Sequence, residues 1–376
     1  MKKLILVALV LMLSATVLAA GPSIETADGK YKIGLGLEFQ SQFQWLSIEG
    51  QGKADSFQIR RGRVVFVGHA FTEELTYKFQ LEAVGGQTSI ASPNRALAAP
   101  TLRDAYINYD FGNGVELMTG QFKPYFNRQE FCSSTKNQFV DDSLLNEVFS
   151  FGRDVGFALH GDVLDEKLEY AIFVTNDAAN RNTTNSNKHL LAGGRLVYNV
   201  MGKHGYTMSD VEDSSEHHLA VGLAANHNKV TTGNSSLIAA SGDIAYRHHG
   251  FSALGEGDFL NNSTLGTYTY GFLAQAGYFL TPKHWEVAGR FAGIIPTAAG
   301  VTNGYETGLA LNYYFYGHNL KLQTDYNFLI NSALRMGTLA AAGINAPTNI
   351  VVTGGASGFI QNQNDHRIRT QLQLYF

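Results

Sequence analysis

The sequence predicts an all-β fold, a transmembrane antiparallel β-barrel of about sixteen strands. Side chains alternate between apolar and polar along many long segments, and the last of these segments ends in the aromatic residue Phe376. Beyond the first twenty residues, no segment has the run of about 18 apolar residues that a membrane helix needs. Only 16% of residues are charged, while the chain has 40 Gly, 24 Phe and 18 Tyr. This composition favours strands and tight turns.

The start of the chain has the pattern of a secretory signal peptide. Lys2 and Lys3 precede a short apolar run, and small residues suited to cleavage follow it. We expect residues 1–20 to be removed and residues 21–376 to form one exported domain. Removal leaves 26 basic and 32 acidic residues, a net charge of −6. A chain with no basic excess is not expected to bind nucleic acid.

The alternation is most complete in segment 31–45, where seven apolar residues lie on one face and polar residues on the other. The segment is longer than the usual soluble strand of about 5 to 6 residues, and suits a tilted membrane strand. Counting all such segments gives about sixteen, an even number typical of bacterial outer-membrane barrels. The same period returns at 75–82, 168–174, 196–200, 272–280, 307–315, 320–328 and 367–376.

The connections differ in length, as in barrels with short turns at one end and long loops at the other. Segments 111–114 and 316–319 have the Gly and Asn of tight turns. A sheet in lipid must close, because its backbone groups find no water there. The outer face must be apolar because it contacts lipid, and polar inner faces indicate a wet lumen. We expect the long polar stretches to be outer loops, at 85–101, 125–153, 176–189, 201–216 and 331–365.

Several segments, taken together, resemble landmarks of the phosphate-selective porin O and P family. The resemblance implies a trimeric outer-membrane channel of sixteen strands, which passes small solutes or ions, often anions such as phosphate, by diffusion. It also implies a constriction loop folded into the lumen. The segments are FQIRRGRVVF (57–66), LRDAYINYDF (102–111), GQFKPYFNRQEF (120–131), FVDDSLLNEVFSFGRDVGFALHG (139–161), GYFLTPKHWEVAGRF (277–291) and LNYYFYGHNLKLQTDY (311–326).

Segment 126–152 is the candidate for that constriction loop, since it is long, rich in aromatic and charged residues, and bracketed by two strand patterns. The alternative is a solvated outer loop whose charges select nothing, and the family resemblance favours the inserted loop. The candidate residues of the constriction are Arg128, Glu130, Lys136, Asp141, Asp142, Glu147 and Arg153.

Ion selectivity is not decided by the sequence. Rings of Arg and Lys favour anions and rings of Asp and Glu favour cations, but the predicted inward faces carry ten of each sign. By regular alternation Arg60 lies on the face opposite to Arg61 and Arg63, which is the lipid side. The family pattern gives Arg60 a role at the pore, and the alternative is an anchor at the level of the lipid headgroups. The pore-lining candidates are Arg60, Arg61, Arg63, Lys78, Arg195, Arg290, Lys321, Arg367 and Arg369.

Enzymatic functions are not favoured, because the sequence has no GxSxG, HExxH or P-loop motif. Adjacent histidines such as His217 and His218 point to opposite faces of a strand and chelate a metal poorly. We therefore predict a porin with no catalytic residue, metal or cofactor, whose partners are outer-membrane lipid, diffusing solutes and two further copies of itself. The alternatives are a plugged outer-membrane barrel acting as a hydrolase or adhesin, and a soluble β-sandwich.

Overall fold

A computed structural model describes residues 21–50, 52–84, 100–176, 185, 189–230, 235–263, 266–299, 301–331 and 363–376. The predicted leader, residues 1–20, lies outside the described residues, as do most of the predicted loops 85–101, 176–189 and 331–365. No helix among the described residues is long and apolar enough to cross a membrane.

In the described part of the chain, sixteen long antiparallel strands close into a barrel, because the last strand pairs with the second. A short strand, β1, pairs with β2 beyond the end of β17. Two short helices, α1 (Arg128–Phe131) and α2 (Leu144–Phe149), lie between β6 and β7. The strands are β1 (Ser23–Glu25), β2 (Tyr31–Ile48), β3 (Gly52–Ala70), β4 (Thr72–Glu82), β5 (Thr101–Asp110), β6 (Glu116–Phe122), β7 (Asp154–Val163), β8 (Leu168–Thr175), β9 (Leu191–Met201), β10 (His218–Val230), β11 (Ser235–His248), β12 (Phe251–Asn262), β13 (Thr267–Thr281), β14 (Trp285–Pro296), β15 (Gly304–Tyr316), β16 (Leu320–Ile330) and β17 (Asp365–Tyr375).

The alternation of side chains follows the two faces of the sheet. Apolar residues such as Phe157 and Leu309 point outward and are 60% and 68% exposed. Polar residues such as Gln40 and Asn312 point inward and are fully buried. An apolar outer surface around a closed sheet suits lipid, because closure satisfies every backbone hydrogen bond in the spanning region. The predicted fold class and strand number are confirmed.

Two β-bulges change which side chains point inward. On β3, Gln40 of β2 pairs with Arg61 and Ser41 pairs with Ile59, so that Arg60 is an extra residue. A bulge re-aims a side chain relative to the regular alternation, and here it turns Arg60 toward the lumen. The predicted outward orientation of Arg60 is therefore wrong, and so is its alternative role as a headgroup anchor.

The second bulge lies on β5. Phe79 of β4 pairs with Ala105 and Leu81 pairs with Leu102. Arg103 and Asp104 consequently share the position opposite a single residue of β4, and both side chains line the same lumenal cavity. Strict alternation would have turned one of them toward lipid.

Antiparallel order fixes the end of the barrel at which each connection lies. Connections 111–115 and 317–319 are at one end, here called the turn end, and connection 123–153 is at the opposite, loop end. The polar connection 202–217, between β9 and β10, also lies at the turn end. The prediction that stretch 201–216 is an outer loop is wrong. The number of strands that precede a connection determines its end of the barrel, and the length and polarity of the connection do not indicate that number.

Candidate functional site

The connection between β6 and β7, residues 123–153, is folded into the barrel and is called the first inserted segment. Its backbone carbonyls accept hydrogen bonds from inward side chains of the wall. Asn312 Nδ2 donates to Gln138 O at 2.8 Å, and Gln373 Nε2 donates to Thr135 O at 3.0 Å. The segment thus lies inside the lumen, not outside the barrel as a solvated loop.

Apolar packing and two glycines of the wall let the first inserted segment approach the wall closely. Leu145 is fully buried in a cluster that includes Leu273 and Ile294, inward residues of β13 and β14. A Cβ atom at Gly271 would lie 2.4 Å from Leu145 Cδ1, and one at Gly277 would lie 2.0 Å from Gln138 Nε2. The two glycines leave room for Leu145 and Gln138 against the wall, and this part of the lumen is filled by protein.

Asp141 holds the first inserted segment to strands β3 and β17. Arg60 Nη2 lies 2.7 Å and Arg61 Nη2 2.9 Å from its carboxylate oxygens, and Arg369 Nη1 lies 4.0 Å away. Burial alone would raise the pKa of Asp141, but the three guanidinium groups outweigh it and hold the pKa well below its ordinary value. Asp141 is therefore ionised at neutral pH and neutralises part of the positive charge of the three guanidinium groups.

Asp243 holds the other end of the first inserted segment. Its two oxygens lie 2.5 Å from Arg128 Nε and 2.5 Å from Arg195 Nη2. Arg195 Nη1 also donates to Phe126 O at 2.7 Å, and Glu256 Oε2 accepts from the backbone N–H of Arg128 at 2.7 Å. The three side chains of this ion triad are at most 2% exposed, so it is enclosed in the protein.

The connection between β9 and β10, residues 202–217, enters the barrel from the turn end and is called the second inserted segment. Arg128 Nη1 donates to Gly205 O at 2.9 Å, and the Arg128 guanidinium lies 5.0 Å from the centre of the Tyr206 ring. Tyr314 OH, on β15, lies 3.3 Å from Ser209 Oγ. The two inserted segments therefore meet at Arg128 and fill the lumen on the side of β10–β17.

The space on the opposite side of the lumen contains a cavity of about 310 Å³, called the first cavity. Among the described residues, the Arg103 Nε atom has no hydrogen-bond partner and Arg103 has no ion-pair partner. The charged lining comprises six basic side chains and three carboxylates, a balance of +3: Arg61, Arg63, Lys78, Arg103, Lys123, Arg153, Asp104, Glu130 and Asp142.

A second cavity of about 320 Å³ lies nearer the turn end and shares Tyr125 and Phe131 with the first. The second inserted segment forms part of its wall. Among the described residues, no group of His, Cys, Asp and Glu is arranged to hold a metal ion in either cavity or elsewhere. The charged lining of the second cavity comprises Glu116, Asp162, Glu169, Arg195 and Lys203, a balance of −1 with histidine neutral.

The structure divides the candidate residues from the sequence into four groups. Those on the first cavity are Arg61, Arg63, Lys78, Glu130, Asp142 and Arg153, and Arg195 is on the second. Those in ion pairs that hold the first inserted segment include Arg60, Arg128 and Asp141. Lys136 and Glu147 are exposed. Arg290, Lys321, Arg367 and Arg369 are at most 7% exposed, enclosed between the wall and the first inserted segment.

Sequence reasoning missed several residues of the cavities. Arg103 is brought inward by a bulge that has no signal in the sequence. Lys123 directly follows β6, and a basic residue at the predicted start of an inserted loop was a signal that would have identified it. Tyr206 lies in a stretch assigned to the wrong end of the barrel.

Comparisons with known proteins agree with this architecture. The sequence model described as "Phosphate-selective porin O and P" matches residues 33–333. No curated protein matches the sequence. Among solved structures, the outer membrane channel DcaP of Acinetobacter baumannii is similar with a TM-score of 0.61 and 8% identity, covering 95% of this chain and 100% of that chain.

Two further structures have the same fold. An anion-selective porin from Comamonas acidovorans is similar with a TM-score of 0.58 and 13% identity, covering 92% of this chain and 100% of that one. OmpF of Salmonella typhi is similar with a TM-score of 0.59 and 12% identity, covering 93% and 100%. At such identities the likeness shows the fold alone, whereas the family match spans most of the chain. The chain belongs to the phosphate-selective porin O and P family and is a porin of the bacterial outer membrane.

Proposed function

We propose that this porin is an anion-preferring channel whose open path runs through the first and second cavities, on the side of β3–β9. The observation that supports this proposal is the balance of +3 in the charged lining of the first cavity. In a narrow lumen with low-dielectric walls, fixed positive charge raises the local concentration of anions. The mechanism is sieving by the inserted segments, combined with electrostatic attraction.

Among the described residues of this lining, Arg103 and Lys123 are the basic side chains without an ion-pair contact. Arg63 is bonded to Glu38 and Glu82 at 2.9 and 2.6 Å, so its charge is largely neutralised behind the cavity. Lys123 Nζ instead donates to backbone carbonyls, including that of Cys132 at 3.4 Å. Because a carbonyl carries no net charge, the ammonium of Lys123 keeps its attraction for a passing anion.

The proposal includes passive transport without catalysis and without a cofactor, since the chain belongs to a family of porins. It also includes a homotrimer in outer-membrane lipid, as the family implies. Chemical cross-linking in detergent tests the trimer, and a monomer under all conditions would contradict it.

Reversal potentials in a planar bilayer test the anion preference. In a KCl gradient, the wild-type channel should favour chloride, and replacing chloride by phosphate should leave a measurable current. Arg103→Gln should move the potential toward that of a cation channel, because it lowers the lining charge from +3 to +2. Lys30→Gln is the control, since Lys30 is exposed and outside the lumen, and it should leave the potential unchanged. An unshifted potential in Arg103→Gln would remove the first cavity from the path.

The plugged barrel remains the second candidate, and it is favoured by the two inserted segments that fill the side of β10–β17. Swelling of liposomes separates the two functions, because a porin admits small sugars and a plugged barrel excludes them. Swelling with a small sugar supports the channel, and its absence with folded protein supports the plug.

A further inference from the structure

Four aromatic rings form a row across the route between the two cavities. The centroid of Tyr125 lies 5.5 Å from that of His160 on β7 and 4.8 Å from that of Phe131. The centroid of Phe131 lies 5.5 Å from that of Tyr206 in the second inserted segment. We call these four side chains the aromatic row. Because Tyr125 and Phe131 line both cavities, a solute on this route passes their rings.

Positive charge lies directly beside the aromatic row. Lys123 Nζ donates to the carbonyl oxygens of Glu130 and Cys132, the two residues that flank Phe131. Arg103 lines the same cavity and has no ion-pair partner among the residues that the structure describes. An anionic group can thus bind the basic side chains while a flat apolar group contacts the aromatic row, within one small volume.

The first cavity has an apolar part beside its basic part. Tyr106, Met118 and Phe122 extend the apolar wall from Tyr125. The volume of about 310 Å³ is at the lower end of the range for small-molecule sites. A bare inorganic anion uses only the basic groups and leaves the apolar wall against water. An anion with a ring uses both, because the hydrophobic effect and ring stacking add to the charge interaction.

We propose that the first cavity is a binding site for small aromatic carboxylates, with the ring against Tyr125 and Phe131 and the carboxylate at Lys123 and Arg103. The inference rests on the proposed channel, whose path it follows. Binding at the aromatic row slows the solute and transiently blocks the current carried by smaller ions. The site thereby gives the channel a preference within the class of anions, not only between anions and cations.

Single-channel recording of the wild-type porin with added benzoate, cyclohexanecarboxylate or acetate tests the site. The three anions carry the same charge, and only benzoate has an aromatic ring. Benzoate should reduce the chloride current with a half-blocking concentration about tenfold lower than that of acetate. Cyclohexanecarboxylate should lie between them. Equal block by benzoate and acetate would overturn the inference, and equal block by benzoate and cyclohexanecarboxylate would overturn its aromatic part.

Two matched variants place the block in the cavity. Phe131→Leu keeps an apolar side chain and should raise the half-blocking concentration of benzoate severalfold, with little change for acetate. Phe157→Leu is the control, because Phe157 faces lipid and is 60% exposed, and it should behave as the wild type. Similar benzoate block in Phe131→Leu and the wild type would contradict the site. An anion-preferring current without benzoate block defeats only this inference, whereas a folded protein without current defeats the proposed channel.

Discussion

Arg60 Nη2 lies 2.7 Å from Asp141 Oδ2, although an unbroken alternation along β3 would turn Arg60 toward lipid. The bulge between Ile59 and Arg61 produces this contact. It places two adjacent guanidinium groups on one carboxylate of the first inserted segment. A local irregularity of the wall therefore determines where the inserted segment is held.

Deleting Arg60 should leave the barrel able to fold. The residues on both sides of the bulge keep their faces when the extra residue is removed, so Ile59 stays outward and Arg61 inward. The folded barrel should still show a heat-dependent shift on an electrophoresis gel. If Arg60 instead belonged to a regular strand, its deletion would turn half of β3 inside out, and the heat-dependent shift would disappear.

Asp141→Asn should loosen the first inserted segment. The substitution leaves Arg60 and Arg61 without their carboxylate, at a cost of about 2 kcal/mol, which is below that of a fully enclosed pair because Arg60 retains 21% exposure. Trypsin should then cleave the folded protein faster after the exposed residue Lys136. Asp162→Asn is the control, since its pair with Lys203 is exposed and is worth little. Equal cleavage rates in Asp141→Asn and the wild type would contradict the role of this contact.

Asp243→Asn should be more damaging than Asp141→Asn. Asp243 neutralises Arg128 and Arg195, and the three side chains are at most 2% exposed. Removing one partner of a buried ionic group costs about 3–5 kcal/mol, because the other charges stay buried without compensation. Thermal unfolding in detergent should show a lower midpoint for Asp243→Asn than for Asp141→Asn. The reverse order would show that the junction of the two inserted segments is not the main attachment.

The anion preference should fall as the pH rises from 7 to 9. Burial lowers the pKa of Lys123 to about 8, so its ammonium is charged below that value and becomes neutral above it. The lining of the first cavity then loses one positive charge, and the reversal potential in a KCl gradient should move toward that of a cation channel. In Lys123→Met this pH-dependent movement should be absent. A movement of the same size in Lys123→Met would assign the titration to another group.

The strands could be predicted from the sequence because the membrane imposes their pattern. Outward residues such as Phe157 must be apolar and inward residues such as Gln40 are polar, and this period of two is visible without a structure. The inserted position of segment 126–152 came from the family resemblance, since its charges are equally compatible with a solvated loop.

The details of the cavities depend on long-range register, which the sequence does not display. Arg60 and Arg103 point inward because the neighbouring strand has one residue fewer at the bulge. The inward residues Leu273 and Ile294 are apolar because the first inserted segment packs against them. The expectation that inward residues of the barrel are polar does not predict such residues. The segment 202–217 required a correct count of preceding strands before its end of the barrel was known.

Accessibility of single cysteines to a charged reagent tests most directly whether permeation runs along one side of the lumen. In a Cys132→Ser background, Lys78→Cys is on the first cavity, and Ala310→Cys is on the opposite inner wall, where Ala310 packs against Phe139. A sulfonate-bearing methanethiosulfonate should reduce the current of the Lys78→Cys channel and leave that of Ala310→Cys unchanged. Modification of Ala310→Cys with loss of current, and none at Lys78→Cys, would contradict the account.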